Sequence, residues 1–560
     1  LQLNAQRICQ WAEKIDITNS GVSYSVAVDK NGNVYATGYF YEDTVTFNNG
    51  IKLISSGSYD GYIAKYNNEG SCQWAEKIAG SASDFVWSIA VDDYENVFVS
   101  GNFESQELYF NNGIMLNKID TLQQDAYYAK YNSEGICQWA KIITGNGSVD
   151  VGGISVDNYG YIYIAGNFFC PILSINNNIE LINSGCEDAF ISKFDSDGIC
   201  QWAKKIAGSG YDVLKKIILD KFSNIYVTGY FDSYELDFNN NITLDNNNNN
   251  NDGFIAKYNA EGICQWAEKF DGNNDDYAWN LALEENIIYE CNNNSLNNSE
   301  PNIWVTGRFK SEVLNFNNGI ALSNSGAEDA FFAKYSPRGV CLLADKIAGS
   351  SDDFTAGIMI DNNKNVYIAG DFSSPILYFN NDISLNNCGS ENTSDIFLAK
   401  YDINGNCKWA ELISGSLNDN AHGITIDEHS NIYIAGDFQS NLLNFNNGIS
   451  ITSNSTENNY NGYITKYSNE SSIEDENSTK NSFSVFPNPV QSIATINCNF
   501  PNSDNFKLSI TNLVGERVKE VALFNTTNNQ INLSDLSSGV YIFTISGNGF
   551  SESKIVSVIK

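Results

Sequence analysis

The segment Cys-Gln-Trp-Ala-Glu-Lys-Ile recurs along this chain, and that recurrence limits the available folds more than any other feature. Its cysteine stands at Cys9, Cys72, Cys137, Cys200, Cys264, Cys341 and Cys407, at intervals of 63, 65, 63, 64, 77 and 66 residues. A fixed period of this kind marks an array whose units bury their apolar faces only against one another. Each unit carries an alternating apolar strand, a turn, a second strand such as Asn33–Phe40, a long connector and a third strand such as Asp60–Tyr66. With the cysteine segment that makes four strands, all of period two, which suits antiparallel blades of a propeller better than a helical solenoid. The reading is all-β, with seven blades. The first element, Cys9–Ile15, has no blade before it, and the last unit ends at Tyr467 without an outer strand. The N-terminal strand is therefore expected to complete blade seven, closing the ring and removing its free edges.

Turn chemistry adds detail. The connectors contain Asn48-Asn49-Gly50, Asn111-Asn112-Gly113, Asn317-Asn318-Gly319 and Asn446-Asn447-Gly448. Asn-Gly favours tight primed turns, so each connector is expected to form a small hairpin, and these hairpins to crown one face of the disc. A long insert in the fifth blade, about Glu290–Asn302, reads as a solvated loop on the opposite face. Seven of the 12 cysteines hold equivalent places, too far apart for disulfides, and are expected to be buried thiols. Pairing Ile164 with Ser192 would bring Cys170 opposite Cys186, a candidate local bridge, whereas Cys291 and Cys388 fall on opposite faces. No spacing suits zinc.

These repeats resemble the bacterial SBBP β-propeller repeat family over about residues 7–467, which implies fold more firmly than function. After a polar linker at 468–483, residues 484–560 carry Phe486-Pro487-Asn488-Pro489, Leu508-Ser509-Ile510, Val514-Gly515-Glu516, Leu533–Leu536, Gly539-Val540-Tyr541 and Val558-Ile559-Lys560. Strand alternation broken by Gly and Asn turns reads as a small β-sandwich. The ordered motifs resemble the type A sorting domain of type IX secretion cargo. That resemblance marks Pro487, Asn488, Pro489, Gly515, Gly539, Tyr541 and Lys560 as the sorting signal. It implies recognition by an outer-membrane translocon and a shuttle protein, and export through the periplasm to the surface or medium of a Gram-negative bacterium. Leu1–Gln6 shows no signal peptide, so one is expected to have been removed or to lie upstream.

Composition narrows the partners. With 67 acidic against 32 basic residues, the formal charge is -35, which repels nucleic acid and anionic lipid. No apolar run reaches the ~18 residues of a transmembrane helix, and the chain is expected to be soluble.

A catalytic residue needs a singular setting, so residues repeated in every blade read as scaffold. Lys65, Lys130, Lys193, Lys257, Lys334, Lys400 and Lys466 fall in that class, as does the Trp of the cysteine segment, replaced once by Leu343. Two carboxylate sets stand nearer the loops: Asp60, Asp125, Asp188, Asp252, Asp329 and Asp395 open the third strands, and Asp84, Asp212, Asp276, Asp353 and Asp419 precede the first strands. They fix backbone N–H groups or, in the sharper reading, hold calcium. One position varies in the otherwise repeated first strand: Tyr24, Trp87, Gly152, Lys215, Trp279, Ala356 and His422. First strands line a propeller's axial channel, so Tyr24, Trp87, Lys215, Trp279 and His422 are candidate ligand contacts, with inter-blade packing as the plainer alternative. The two histidines, His422 and His429, sit at opposite ends of one strand and cannot share a metal. No Ser/His/Asp set or phosphate loop appears, which favours a non-enzymatic surface module for an extracellular glycan or protein. A secreted polysaccharide or peptide hydrolase and a passive surface-layer component are the rivals.

Overall fold

The computed structural model describes residues 7–558 apart from 42, 120–122, 249, 286–299, 390–392, 454–458, 470–481, 487–489, 491, 500–505, 513–515, 524–528 and 548–549. Contacts divide the chain into two compact units, Leu1–Asn469 and Glu470–Lys560.

In the first unit, strands Ser20–Val28, Val34–Tyr41, Tyr59–Tyr66 and Cys72–Ile78 pair antiparallel in that order, and the same order recurs in six further sheets. The first strands pack on one another in succession around the array, and Asp419–Ile426 packs back on Ser20–Val28. Arg7–Ile17 is the outer strand of the last sheet, paired with Asn461–Asn469 from Arg7↔Asn469 to Ile15↔Gly462. It extends beyond Cys9–Ile15 at both ends. Asp16 and Ile17 pair with Thr46 and Val45, while the buried Arg7 guanidinium donates to the Tyr367 hydroxyl at 2.9 Å and lies 4.0 Å from Asp361.

The connector hairpins form, but at the rim and not as a crown. Each reaches back to the outer strand of the preceding blade, through Thr144↔Ser174 and Gly145↔Leu173 or bridges such as Ala79↔Tyr109 and Ala348↔Tyr378. Its tip clasps the start of its own blade's outer strand. The Cys137 N–H donates to Asn111 Oδ1 at 2.7 Å, and the Cys137 carbonyl accepts from Asn112 Nδ2 at 3.1 Å. The latter bond recurs at all seven rim cysteines. Asn112, Asn177, Asn318 and Asn447 sit at φ of 62–65°, which Asn tolerates better than most side chains. Asn-Gly fixed the turn, but the edge that the hairpin covers is a tertiary choice.

The repeated residues hold neighbouring blades together. Trp74 Nε1 donates to the Ser133 carbonyl of the next blade at 3.1 Å, and its ring covers Gly135. A Cβ there would lie 2.7 Å from the indole at a φ of +78°, which calls for glycine. All seven third-strand lysines lie over a second-strand aromatic ring, as Lys65 does over Tyr35 at 5.1 Å.

The seven rim cysteines are buried free thiols, and burial pushes each up to about 12. Ile164 does pair with Ser192, yet no disulfide joins Cys170 and Cys186, correcting the candidate bridge. The ladder ends at Phe168↔Asp188. Beyond it Cys170 turns inward, its thiol donating to the Ile172 carbonyl, while Cys186 is exposed and bonds through its N–H to Gly210 of the next blade. Cys388 is an exposed free thiol; Cys291 and most of the Glu290–Asn302 insert lie outside the described residues.

The second unit has a three-stranded sheet, Ser482–Phe486, Ile493–Asn499 and Asn529–Asn532, and a four-stranded one, Arg517–Leu523, Phe506–Asn512, Gly539–Gly547 and Phe550–Val558. Ala494, Ile496 and Ile531 of the first share one core with Leu508, Phe543, Ile545 and Val556 of the second, a β-sandwich arrangement.

Candidate functional site on the propeller axis

All seven first strands carry a β-bulge at the same place, where the pairing register slips between Ser23 and Ser25, Val86 and Ser88, Val151 and Gly153, Leu214 and Lys216, Ala278 and Asn280, Thr355 and Gly357, and Ala421 and Gly423. The skipped residues are Tyr24, Trp87, Gly152, Lys215, Trp279, Ala356 and His422. A bulge frees one residue from the ladder and re-aims its side chain. Here all seven residues border one axial cavity of about 90 Å³, joined by the residues just after the bulge: Ser25, Ser88, Lys216, Asn280 and Gly423. A second cavity of about 230 Å³ shares Tyr24, Trp279, Ala356 and His422 and adds Arg308, Phe354, Asp371 and Asn420.

The two sides of this mouth differ. Around blades one and two, Trp87 stacks on Phe85 at 5.1 Å and meets Tyr24 edge-on at 5.0 Å, with Tyr39 at 5.6 Å. Across the axis, Trp279 lies under two cations, Lys215 at 4.8 Å and Arg308 at 5.1 Å. Arg308 also faces Tyr277 and Phe354, and its Nε lies 3.2 Å from Glu328. Between the two sides, His422 stacks on Tyr24 at 5.5 Å and pairs through Nε2 with Asp437.

Titration follows from this crowding. Desolvation pushes Asp371 up to about 7; Asp437 adds to the rise, while His422 and Arg308 oppose it. Glu187 also rises to about 7, by burial and then by Asp150. For His422, burial disfavours the charged ring, but Asp437 and Asp371 outweigh it and the pKa is raised. Lys215 is lowered by burial against the pull of Asp150 and Glu187.

Arg308, Asp371 and Asp437 escaped the sequence reading. They belong to a second varied ring, Tyr39, Asn102, Asn167, Tyr230, Arg308, Asp371 and Asp437, inside the repeated Gly-x-Phe of the second strands. The same contrast between fixed neighbours and one changing position would have found it. Its members divide the work: Asn167 Oδ1 accepts from the Leu214 N–H at 2.7 Å and holds the next blade's bulge, whereas Arg308 and Asp371 border the cavity.

The two carboxylate sets lie away from the axis, paired between blades. Asp84 accepts from Ser105 Oγ at 2.7 Å and from the Gly80 N–H. Asp276, Asp353 and Asp419 accept from Ser311, Ser374 and Ser440 in the same way, and Asp212 is buried beside Ser233. The facing Asp60, Asp188, Asp252 and Asp329 each lie 3.4–3.8 Å from a lysine ammonium. Among the described residues no group of three or more His, Cys, Asp or Glu side chains is placed to hold a metal ion. Of the sorting-signal candidates, Gly539 and Tyr541 are described, and the Tyr541 hydroxyl donates to the Ser537 carbonyl at 3.0 Å; Pro487, Asn488, Pro489, Gly515 and Lys560 lie outside the described residues.

Comparison with known proteins bears on both units. Residues 408–443 match the beta-propeller repeat family SBBP, and residues 484–559 match the secretion system C-terminal sorting domain. The chain carries SBBP-type propeller repeats and a type IX sorting domain. The sorting domain indicates export to the surface of, or secretion from, a Gram-negative bacterium, with recognition by the type IX machinery. No helix among the described residues is long and apolar enough to cross a membrane. An uncharacterized WD repeat-containing protein of Acanthamoeba polyphaga mimivirus is 25% identical over 528 residues, covering 82% of this chain; the chain spans only 38% of that relative. Among solved structures, a Bacteroides thetaiotaomicron protein of unknown function matches at 10% identity and TM-score 0.20, covering 69% of this chain and 98% of its own. Dimeric latent PorU from Porphyromonas gingivalis matches at 10% identity and TM-score 0.12, covering 74% of this chain and 33% of its own. At these scores neither likeness bears on fold or function.

Proposed function

We propose that the propeller is a non-enzymatic binding module for an extracellular glycan or protein, exported as type IX cargo, and that it takes its ligand at the axial mouth. The supporting observation is the convergence of seven bulge residues, almost all different, on one cavity of an otherwise repeated scaffold. A packing position would repeat, as the rim tryptophans do; a position that meets an asymmetric ligand must differ from blade to blade. Screening the full chain on a glycan and peptide array, then repeating it with Trp87→Ala and Trp279→Ala, tests this. Loss of one aromatic contact is expected to weaken binding several-fold with little change in melting. Variants that melt earlier yet bind with unchanged affinity would return these residues to inter-blade packing.

A secreted hydrolase is the second reading, favoured by Asp371, raised to about 7, beside Asp437. A pair of carboxylates, one of them holding its proton, is the requirement of acid–base glycoside cleavage, and product formation on the same array would select it. For export, we infer that residues 484–560 are read by the outer-membrane translocon and a shuttle protein. Fused to an inert reporter bearing a signal peptide, they should carry it out of a type IX-competent cell, and periplasmic retention would contradict that.

A further inference from the structure

In a chain with a formal charge of -35, basic groups gather at the axis. Lys215, Lys216 and His422 border the 90 Å³ cavity, and Arg308 borders the adjoining one. Most basic side chains elsewhere are anchored; Lys77, for example, donates to the Ile54 carbonyl at 2.6 Å and lies 3.8 Å from Asp60. Lys216 is different. Among the described residues its side chain makes no hydrogen bond, ion pair or ring contact, while Lys215 lies over the Trp279 and Tyr230 rings with Asp150 and Glu187 pulling on its charge. The bulge turns both consecutive lysines into the same cavity, because it interrupts the alternation that would otherwise send them to opposite sides. The other blades place Ser25, Ser88, Gly153, Asn280, Gly357 and Gly423 at the level of Lys216, so only one blade sends a long cation across a channel of small residues.

An unpaired ammonium in a partly desolvated chamber is a charge awaiting a counter-charge. The surrounding groups restrict what can supply it. Acidic groups stand close by: Asp371 borders the adjoining cavity, Asp437 pairs with His422, and Asp150 and Glu187 act on Lys215; together they would repel a polyanion such as a phosphorylated or polysulfated chain, while carboxylates of this kind can accept hydroxyl hydrogen bonds. The Trp279 and Trp87 side chains border the cavity on two sides. One negative charge, several hydroxyls and a flat, weakly polar ring face describe an acidic sugar.

We propose that the axial mouth, where the two cavities adjoin, takes a uronic-acid residue of a glycan, its carboxylate reaching Lys215 and Lys216, its ring against Trp279 or Trp87 and its hydroxyls on the nearby acidic side chains. This rests on the axial reading above and adds the charge class of the ligand. It is tested by calorimetric titration of the full chain with methyl glucuronide, its methyl ester and methyl glucoside. The glucuronide should bind about tenfold or more tightly than either neutral probe, since a charge-assisted contact adds at least that much. Lys216→Met, which keeps the stem and lets the blade fold, should erase the preference while leaving the weak neutral binding. Equal affinities, a preference kept by folded Lys216→Met, or no glucuronide binding at millimolar concentration would each overturn the proposal. If neutral sugars bind in a Trp279-dependent way without charge preference, only the uronate assignment fails. If glucuronide binds independently of both Trp279 and Trp87, the axial site fails with it.

Discussion

The rim and the axis of the propeller are built from the same seven repeats under opposite rules. At the rim, Cys, Lys and the Asn tip recur from blade to blade and meet like partners: the Asn tip donates to the rim cysteine's carbonyl and each lysine lies over a second-strand ring, while the Trp recurs in six blades and in three of them donates to a carbonyl of the next blade. At the axis, the bulge recurs but the residue it carries does not, passing from Tyr24 and Trp87 through Gly152 and Lys215 to Trp279, Ala356 and His422. A symmetric scaffold demands equal contacts at equal places, so repetition at the rim reports mechanical work. The divergence at the axis is not needed to close the ring, and its polar groups are incompletely paired. Stability and recognition are thus expected to separate by radius.

The largest break of that separation is removal of the rim's closure. Deleting residues 1–17 leaves Asn461–Asn469 unpaired on one edge, strips the first hairpin of its partners Asp16 and Ile17, and removes the Arg7 contact with Tyr367 and Asp361. The expected cost is on the order of 5 kcal/mol or more, in the range reserved for lost cores and networks, together with concentration-dependent association through the bare edge. Thermal melting and size-exclusion chromatography of the truncated chain check this, and a monomer that melts unchanged would count against closure as a source of stability.

Most of this rim was legible in the sequence, because strand period, repeat length and the missing outer strand after Tyr467 are all local facts. Other features were not. Asn111-Asn112-Gly113 specifies a turn, but nothing local says that the hairpin lies against Ala79 of the previous blade. Alternation fixes which face a side chain takes and cannot say which residue is skipped, so the bulge that puts Lys215 and Lys216 in one cavity was invisible, as were the partners of Arg308 and Asp371. The Cys170–Cys186 bridge failed for a related reason: correct register within a ladder does not extend past its last pair.

A smaller effect tests the hairpin clasp. Asn111 gives the Gly135 carbonyl a hydrogen bond at 2.6 Å and accepts one from the Cys137 N–H at 2.7 Å. Asn111→Ala leaves both backbone groups without that partner at a half-buried seam, with an expected loss of about 1–3 kcal/mol in chemical denaturation. Since six of the seven rim cysteines donate to an equivalent Asn, the same change at Asn317 should cost a similar amount. A loss confined to one blade would mean that the repeated contact is not equivalent in energy.

The smallest effect has the opposite sign and lies at the axis. Lys216 borders the cavity, its side chain has no partner among the described residues, and burial lowers its pKa from 10.5. The folded state therefore holds this proton less tightly than the unfolded chain, and at neutral pH the lysine works against folding. As pH rises through the folded value toward 10.5, the unfolded chain keeps the proton longer, stability of the wild type increases, and the penalty disappears. Lys216→Met removes the charge and keeps most of the stem, so it should raise stability at pH 7 by up to about 1 kcal/mol, a magnitude ordinary for relief of an unpaired buried polar group. The gain should shrink as the buffer is taken toward pH 10. Melting the two proteins in parallel across that range separates this account from a packing one. A structural Lys216 would make the methionine variant melt earlier at every pH, whereas a lysine kept for its ligand makes the empty protein better without it.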